Sequence, residues 1–123
     1  IKGALADTAK KIFRGTLNFK KGCSGSVGDE GDYAIQLDPH TKNISLPLLL
    51  CTEDDVVGNH ASSAGQLDAN TIYFLMTRGF SLEEARRIVV EALIRPIIDS
   101  MDSSLHDEVI EEVRRKLDSK EIK

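Results

Sequence analysis

The 123-residue sequence contains no tryptophan, and Phe and Tyr together make up 5% of it. Its hydrophobic fraction of 41% is enough for a core, but that core has to be aliphatic. Basic residues are not in excess, because 16 Lys and Arg stand against 20 Asp and Glu, for a net charge of −4. Without a basic patch, and without aromatic residues interleaved with basic ones, the composition argues against nucleic-acid binding.

Long hydrophobic runs and a cysteine framework are missing too. No uncharged stretch reaches the roughly 20 apolar residues of a membrane-spanning helix, so we predict no membrane insertion. No secretory signal is visible, and the two cysteines, Cys23 and Cys51, do not make a disulfide framework. These absences predict a cytoplasmic protein. The sequence opens on Ile1 rather than Met, and we expect the chain to be part of a longer protein.

The first half of the chain alternates between strand patterns and turns. Residues 3–14 fit either a short amphipathic helix or a turn followed by a strand, and the alternation from Phe13 to Phe19 favours a strand there. Residues 20–32 carry four glycines and are predicted to form a long turn or mobile loop. A phosphate-binding loop is disfavoured, because the closing Lys-Ser/Thr is absent and two acids lie where the phosphate would be.

Three further strands are predicted before residue 60, over residues 33–37, 44–51 and 56–57. Pro47 cannot donate a ladder hydrogen bond, so it limits the second of them to an edge, a bulge or a solenoid rung. Four short strands without intervening helices are typical of a meander or of the last coils of a β-solenoid. No internal repeat in the sequence decides between these two architectures.

Helical patterns begin after residue 67. Asp68 is a good N-cap for a first helix, and Gly79 suits the C′ position after its end. Ser81 and Glu84 are spaced as a capping box, which predicts that a second helix begins there.

The second helix is predicted to run to about Met101, with a kink at Pro96, because proline lacks the amide that the helix requires. Ser103 or Ser104 is predicted to cap a third helix. Its apolar residues recur at steps of four, at Leu105, Val109, Val113 and Leu117. Such a stripe predicts packing on neighbouring helices, with docking of a partner as the alternative. The last few residues are predicted to fray.

His60 is the main candidate for chemistry. It lies among small residues, which would let a ligand or another backbone approach closely, and histidine can act as a metal ligand or a general base. The alternative is a histidine that only packs or lies at the surface. A structural zinc site is disfavoured, because closely spaced cysteine pairs are absent. A small metal-dependent enzyme would need Glu53 or Asp55 to converge on His60.

One long segment, residues 58–99, resembles the C-terminal part of the SufB/SufD family of iron–sulfur cluster assembly scaffold proteins. It carries the family's motifs in order: His60, Gly-Gln-Leu-Asp at 65–68, Tyr-Phe-Leu-Met-Thr-Arg-Gly-Phe at 73–80 and Glu-Glu-Ala-Arg at 83–86. Upstream segments fit more loosely, so that the resemblance covers residues 2–101.

The resemblance implies a right-handed parallel β-helix core followed by a helical C-terminal domain. Members of the family dimerise, and they bind an ABC-type ATPase, SufC, through the helical domain. Their complex builds a nascent iron–sulfur cluster and hands it to target proteins. The scaffold itself is expected not to be an enzyme, because the partner ATPase supplies the hydrolysis.

The resemblance also assigns roles to residues. His60 corresponds to a cluster ligand at the interface between paired subunits. In the SufB branch this histidine is followed by Glu, and a Cys precedes it in an earlier strand. Here Ala61 follows His60, and Leu37 occupies the position that best matches the Cys. Both differences imply a SufD-like chain, with a transient cluster in the full complex and no cofactor in this chain alone.

A docking surface for the ATPase is predicted where the first helix ends. Aromatic and Arg side chains are enriched in protein interfaces, and this segment holds the densest aromatic cluster of the chain. The predicted partner-binding residues are Tyr73, Phe74, Arg78, Gly79 and Phe80.

These expectations combine into an α+β fold. Residues 1–64 are predicted to form the terminal coils of a right-handed parallel β-helix with short strands, and residues 65–123 a C-terminal unit of three helices.

The predicted function is a scaffold component of the SUF complex. It would work with a SufC-type ATPase and a SufB-type subunit, or with a second copy of itself. The alternatives are a small metal-dependent enzyme using His60 with nearby acids, and a pure interaction domain in which His60 only packs.

Overall fold

The computed structural model describes residues 1–118 and has an α+β architecture. The strands come first, as β1 (Lys2–Leu5), β2 (Lys10–Phe19), β3 (Ser26–Gln36), β4 (Lys42–Cys51) and β5 (Val56–Gln66). The helical elements follow, as α1 (Ala69–Thr77), α2 (Leu82–Ile98), a 3-10 turn (Ser103–Leu105) and α3 (His106–Asp118). The strands form one compact unit, Ile1–Gln66, and a second unit begins at Leu67.

The strands pair in parallel, in two sheets with the orders β1-β3-β5 and β2-β4. The number of residues along the chain between paired positions is nearly constant. Lys2 pairs with Tyr33, Lys10 with Lys42 and Ser26 with Val56. A meander is therefore the wrong alternative, since its consecutive strands pair antiparallel. Within the described chain β4 pairs only with β2, so it lies at an edge of its sheet, which is one of the three positions that Pro47 allows.

The interior of the strand unit is organised around the ring of Phe19, which is 7% exposed. Gly28 of β3 and Gly58 of β5 are register partners, and both face this ring. A Cβ atom would lie 2.9 Å from the ring at Gly28 and 2.8 Å from it at Gly58. These two glycines are needed because the aromatic ring occupies the space of their side chains.

A buried ion pair lies further along the same interior. Asp32 of β3 is fully buried (0% exposed), and its Oδ1 accepts a hydrogen bond from the ammonium group of Lys11 on β2. Burial raises the pKa of Asp32, but Lys11, with Ser45 and Asn43 of β4 nearby, more than offsets this effect. The net pKa of Asp32 is lower than its ordinary value of 3.8, so the carboxylate is held in its charged form.

Several strand expectations are wrong in their bounds. The helix alternative for residues 3–14 is wrong, because β1 and the start of β2 occupy them. The loop predicted for residues 20–32 ends earlier, since β3 begins at Ser26 and holds its glycines in extended backbone. The strand predicted to end at Gly58 continues to Gln66, because its backbone pairs with β3 as far as Gln36.

The helix caps agree with the sequence. Asp68 accepts hydrogen bonds from the backbone N–H groups of Asn70 and Thr71, at 3.3 and 2.9 Å, and caps α1. The hydrogen bond from the Thr71 hydroxyl, together with these two backbone bonds, lowers the pKa of Asp68. Ser81 and Glu84 form the predicted capping box of α2. Gly79 has a positive φ of 96°, the left-handed conformation in which glycine is favoured after a helix.

The third helix differs from its prediction at the start. Asp102, rather than Ser103 or Ser104, caps the 3-10 turn that precedes α3. α2 also ends earlier than expected, at Ile98. The predicted fraying concerns residues that lie outside the described part of the chain.

α3 packs on α2, as predicted from the apolar stripe of α3. The guanidinium group of Arg114 donates two hydrogen bonds to Glu91 of α2, at 2.7 and 3.0 Å, and Arg87 of α2 pairs with Asp118. The bond from Arg114 lowers the pKa of Glu91 despite partial burial. Among residues 1–118, no helix combines the length and apolar character needed to cross a membrane.

Candidate functional site

His60 lies in β5, opposite Glu30 of β3. The two residues are register partners in neighbouring parallel strands, whose backbones lie roughly 4.8 Å apart. Side chains alternate along a strand, so His60 is on the same face as Gly58, which faces the ring of Phe19. The imidazole is nevertheless exposed to solvent.

Glu30 provides a carboxylate beside this histidine. Its Oε1 is buried and has no hydrogen-bond partner in the described part of the chain. It lies over Gly15 of β2, where any side chain would collide with it. A buried carboxylate oxygen without a partner is costly, by about 1–3 kcal/mol. Together, an imidazole and a carboxylate are donors suited to a first-row transition metal.

These two residues do not make a complete metal site. Within residues 1–118, no three His, Cys, Asp or Glu side chains are grouped so that they could hold one metal ion. Two donors are fewer than the four that hold an iron–sulfur cluster or a structural zinc ion. Any cluster bound at His60 therefore requires donors from outside the described residues.

The acids expected beside His60 have other partners. Glu53 accepts a hydrogen bond from the backbone N–H of Gly22 at 2.8 Å, and Asp55 accepts one from the Ser24 hydroxyl at 2.6 Å. Both therefore connect the turn before β5 to the turn before β3. The structure gives neither of them a contact with His60, so the acids of the metal-enzyme alternative are not brought to it.

The cysteines do not join His60 either. Cys51 ends β4, in the other sheet, and its thiol donates to the backbone oxygen of Glu53 at 2.9 Å. Cys23 is partly buried. Of the remaining histidines, His40 is exposed, and an imidazole nitrogen of His106 lies 3.2 Å from the backbone oxygen of Met101.

Glu30 was missed from the sequence, although a signal for it exists. Residues 27–29 read Val-Gly-Asp and residues 57–59 read Val-Gly-Asn, and the structure pairs these two segments residue by residue. The outward-facing members of the two segments are joined as well, because Asn59 donates a hydrogen bond to Asp29 at 2.8 Å. This short repeat at a constant interval places Glu30 opposite His60.

The predicted partner-binding residues form an exposed surface at the end of α1. Tyr73 is 70% exposed, Phe74 54% and Phe80 41%. The guanidinium group of Arg78 lies over the ring of Phe74, with its central carbon 4.7 Å from the ring centroid. Gly79 provides the turn that leads into Phe80. We call these five residues the α1 surface. Large aromatic side chains that remain exposed in this way are typical of protein interfaces.

Comparison with known protein families matches residues 1–93 to the family described as "SUF system FeS cluster assembly, SufBD core domain". The match includes all five strands, α1 and most of α2. Both the His60 site and the α1 surface therefore lie inside the matched region.

Individual relatives agree with this match. The chain is 29% identical over 116 residues to the iron–sulfur cluster assembly protein SufD of Bacillus subtilis. This alignment covers 94% of the chain and 26% of that protein. It is 20% identical over 117 residues to SufD of Escherichia coli, covering 94% of the chain and 28% of that protein. A SufBD family protein of Mycobacterium tuberculosis is 29% identical over 85 residues, covering 69% of the chain and 10% of that protein. The chain thus spans about a quarter of the length of these SufD proteins.

Proposed function

This chain is a SufD-like member of the SufB/SufD family, and we propose that it serves as a scaffold component of the SUF iron–sulfur cluster assembly complex. In this role it positions partners and cluster ligands and does not itself catalyse a reaction. A SufC-type ABC ATPase would supply the hydrolysis, and a SufB-type subunit or a second copy would supply the paired surface. The nascent cluster is the cargo of the complex.

The fold proposed for the strand unit, Ile1–Gln66, is the end of a right-handed parallel β-helix, and the helical domain begins at Leu67. Its support is the regular register of the two parallel sheets, in which each strand pairs with the next-but-one strand of the chain. Parallel stacking at a constant interval is what a solenoid requires, because each coil contacts only its neighbours. The inward glycines around Phe19 support the same interpretation.

His60 is proposed as a ligand that is shared across an interface. The single observation that carries this proposal is its position on β5, exposed and opposite the unpartnered Oε1 of Glu30. β5 is the last strand of its sheet in the described chain, so the backbone beside His60 is open to another strand. Donors from a paired subunit could therefore reach the imidazole.

The α1 surface is proposed as the contact for the ATPase. It combines three exposed aromatic rings with an Arg whose guanidinium stacks on one of them. Stacking of this kind reduces the conformational freedom of the Arg, so that less entropy is lost when a partner binds.

Anaerobic reconstitution of the cluster on the complex tests the scaffold role. The SufD-like protein, a SufB-type subunit and a SufC-type ATPase are combined with iron and sulfide, and cluster formation is followed by its visible absorbance. We expect His60→Ala to lower the yield by at least about tenfold, because replacing a metal ligand removes a bond that no neighbour supplies. His40→Ala is the matched control, since His40 is an exposed histidine of the same unit.

The two alternatives predict different results. If the chain is only an interaction domain in which His60 packs, His60→Ala leaves the cluster yield unchanged while the three proteins still assemble. If the chain is a metal-dependent enzyme, it binds a metal ion without its partners, and His60→Ala abolishes that binding.

A further inference from the structure

The outward side of β4 is an uninterrupted apolar row. Its side chains alternate between the two faces of the sheet, and every second residue from Ile44 points outward. The row is 39–50% exposed and consists of Ile44, Leu46, Leu48 and Leu50. Ile12 of β2, the register partner of Ile44, extends it sideways and is 48% exposed. Outward residues of a solvent-facing sheet are normally polar, so a contiguous apolar row indicates that something covers it.

Charge distinguishes this face from the rest of the chain. Lys10 and Arg14 of β2 and Lys42 of β4 point outward beside the apolar row and are exposed. No acidic residue lies among the outward positions of β2 and β4. The face therefore carries three positive charges in a chain whose net charge is −4. We call these eight residues, Lys10, Ile12, Arg14, Lys42, Ile44, Leu46, Leu48 and Leu50, the β2–β4 outer face.

The length of the apolar row fits one helix. Leu50 lies six positions after Ile44 along β4, which corresponds to a row about 20 Å long. Side chains two apart on a strand are spaced at about 6.6 Å, close to the 6.0 Å between positions i and i+4 of an α-helix. A helix of about 14 residues would therefore match the row in length and spacing.

Charge argues against a second copy of this chain. A second copy would present the same face, which has no acidic residue to meet Lys10, Arg14 and Lys42. A lipid surface is also disfavoured, although it too would be attracted by basic and apolar groups. Segments that lie in a membrane interface carry Trp or other aromatic anchors, and the β2–β4 outer face has none.

We propose that the β2–β4 outer face docks an amphipathic helix of a partner protein, whose apolar stripe is flanked by Asp and Glu. The apolar stripe covers the row on β4, and its acidic flank lies against Lys10, Arg14 and Lys42. This surface is separate in residues from both His60 and the α1 surface, and it does not depend on either. Desolvated apolar contacts supply the affinity, and the charges select an acidic helix over a basic one.

A pair of designed peptides tests the proposal. Both are 14-residue helices with leucines at helical spacing, and the flanking positions are Glu in one and Lys in the other. Binding of the full chain to each fluorescently labelled peptide is measured by anisotropy at low and high salt. We expect the chain to bind the Glu peptide at least about tenfold more tightly than the Lys peptide, with the preference reduced by salt.

Variants assign the binding to the face. We expect Leu48→Ser to weaken binding of the Glu peptide by about tenfold, and the double variant Arg14→Glu, Lys42→Glu to reverse the preference. Val27→Ser is the matched control, because Val27 is an exposed aliphatic residue of the other sheet, 68% exposed. All four replaced residues are exposed, so circular dichroism should show an unchanged fold.

Four results would overturn the proposal. The first is equal affinity for the two peptides, and the second is an equal effect of Val27→Ser and Leu48→Ser. The third is a dimer in sedimentation velocity that Leu48→Ser dissociates, which would make a second copy the occupant. The fourth is co-sedimentation with phosphatidylglycerol vesicles that Leu48→Ser abolishes, which would make a lipid surface the occupant.

Discussion

Glu30 and His60 occupy the same register position on neighbouring parallel strands, β3 and β5. The buried Oε1 of Glu30 lacks a partner within residues 1–118, and the imidazole beside it is exposed. A metal-ligating histidine usually donates its other ring N–H to a carboxylate, a backbone carbonyl or a water. The register pairing makes Glu30 the carboxylate we propose for that role in the cluster site.

Replacing Glu30 tests whether it supports His60. We expect Glu30→Gln, which keeps the size of the side chain but removes its charge, to lower cluster retention in the reconstituted complex by about 10-fold or more. Retention is measured as iron bound per complex after gel filtration under anaerobic conditions. Asp29→Asn is the control, because Asp29 is the adjacent acid on the opposite face of the strand. An equal loss in both variants would show that general charge, rather than the pairing with His60, is responsible.

The α1 surface should govern binding of the ATPase. We expect Phe80→Ala and Arg78→Ala each to weaken the complex with a SufC-type ATPase by about 10- to 100-fold, because Phe and Arg side chains at the centre of an interface contribute about 1–3 kcal/mol each. Binding is measured by surface plasmon resonance with the immobilised ATPase. Leu105→Ala is the control, since Leu105 is 45% exposed and follows α2. Unchanged affinity in both variants would place the ATPase elsewhere.

The glycines around Phe19 should be essential for stability. We expect Gly58→Val to destabilise the strand unit by about 1–3 kcal/mol, because its side chain would overlap the Phe19 ring and force it to move. Urea unfolding followed by circular dichroism measures the change. Gly65→Ala, also in β5, is the matched control, since no atom lies within 4 Å of the added Cβ. If Gly65→Ala cost as much, strand propensity rather than contact with Phe19 would be the cause.

What the sequence predicted well is local. The caps at Asp68, Ser81 and Glu84 were predicted because each capping bond joins residues two or three apart, so the motif carries its own partner. The left-handed conformation of Gly79 was predicted for the same reason, because it depends on the end of the adjacent helix. The family was recognisable for a related reason, since its motifs lie in one continuous segment, residues 58–99.

What the sequence did not predict is non-local. The full length of β3 and β5 depends on pairing between residues about thirty positions apart, and glycine-rich segments carry little strand propensity of their own. In the sequence, Gly28 suggested a turn. The reason for a glycine at this position is the ring of Phe19, which belongs to a different strand and is not a sequence neighbour. The position of Glu30 opposite His60 has the same origin. A search for the Val-Gly-Asp and Val-Gly-Asn repeat would have revealed both.

The ion pair between Lys11 and Asp32 should make the strand unit sensitive to acid. The pKa of Asp32 is lowered in the folded chain, so the folded state binds its proton less readily than the unfolded state does. Its contribution to the free energy of unfolding is therefore fully present above the ordinary pKa of 3.8 and is lost as the pH falls below it. Other acids of the chain, such as Glu91, have lowered pKa values as well, so only a comparison of variants isolates Asp32.

Urea unfolding between pH 3 and pH 6 makes that comparison. We expect Asp32→Asn to flatten the loss of stability in acid, relative to the unmodified chain, because its amide has no proton to gain. Lys11→Met should cost about 3 kcal/mol near neutral pH, since it leaves a buried carboxylate without its cation, and the double variant should recover part of that loss. Asp29→Asn controls for the removal of an exposed acid. A pH dependence that is the same in Asp32→Asn and the unmodified chain would mean that the buried pair does not set the acid stability of this unit.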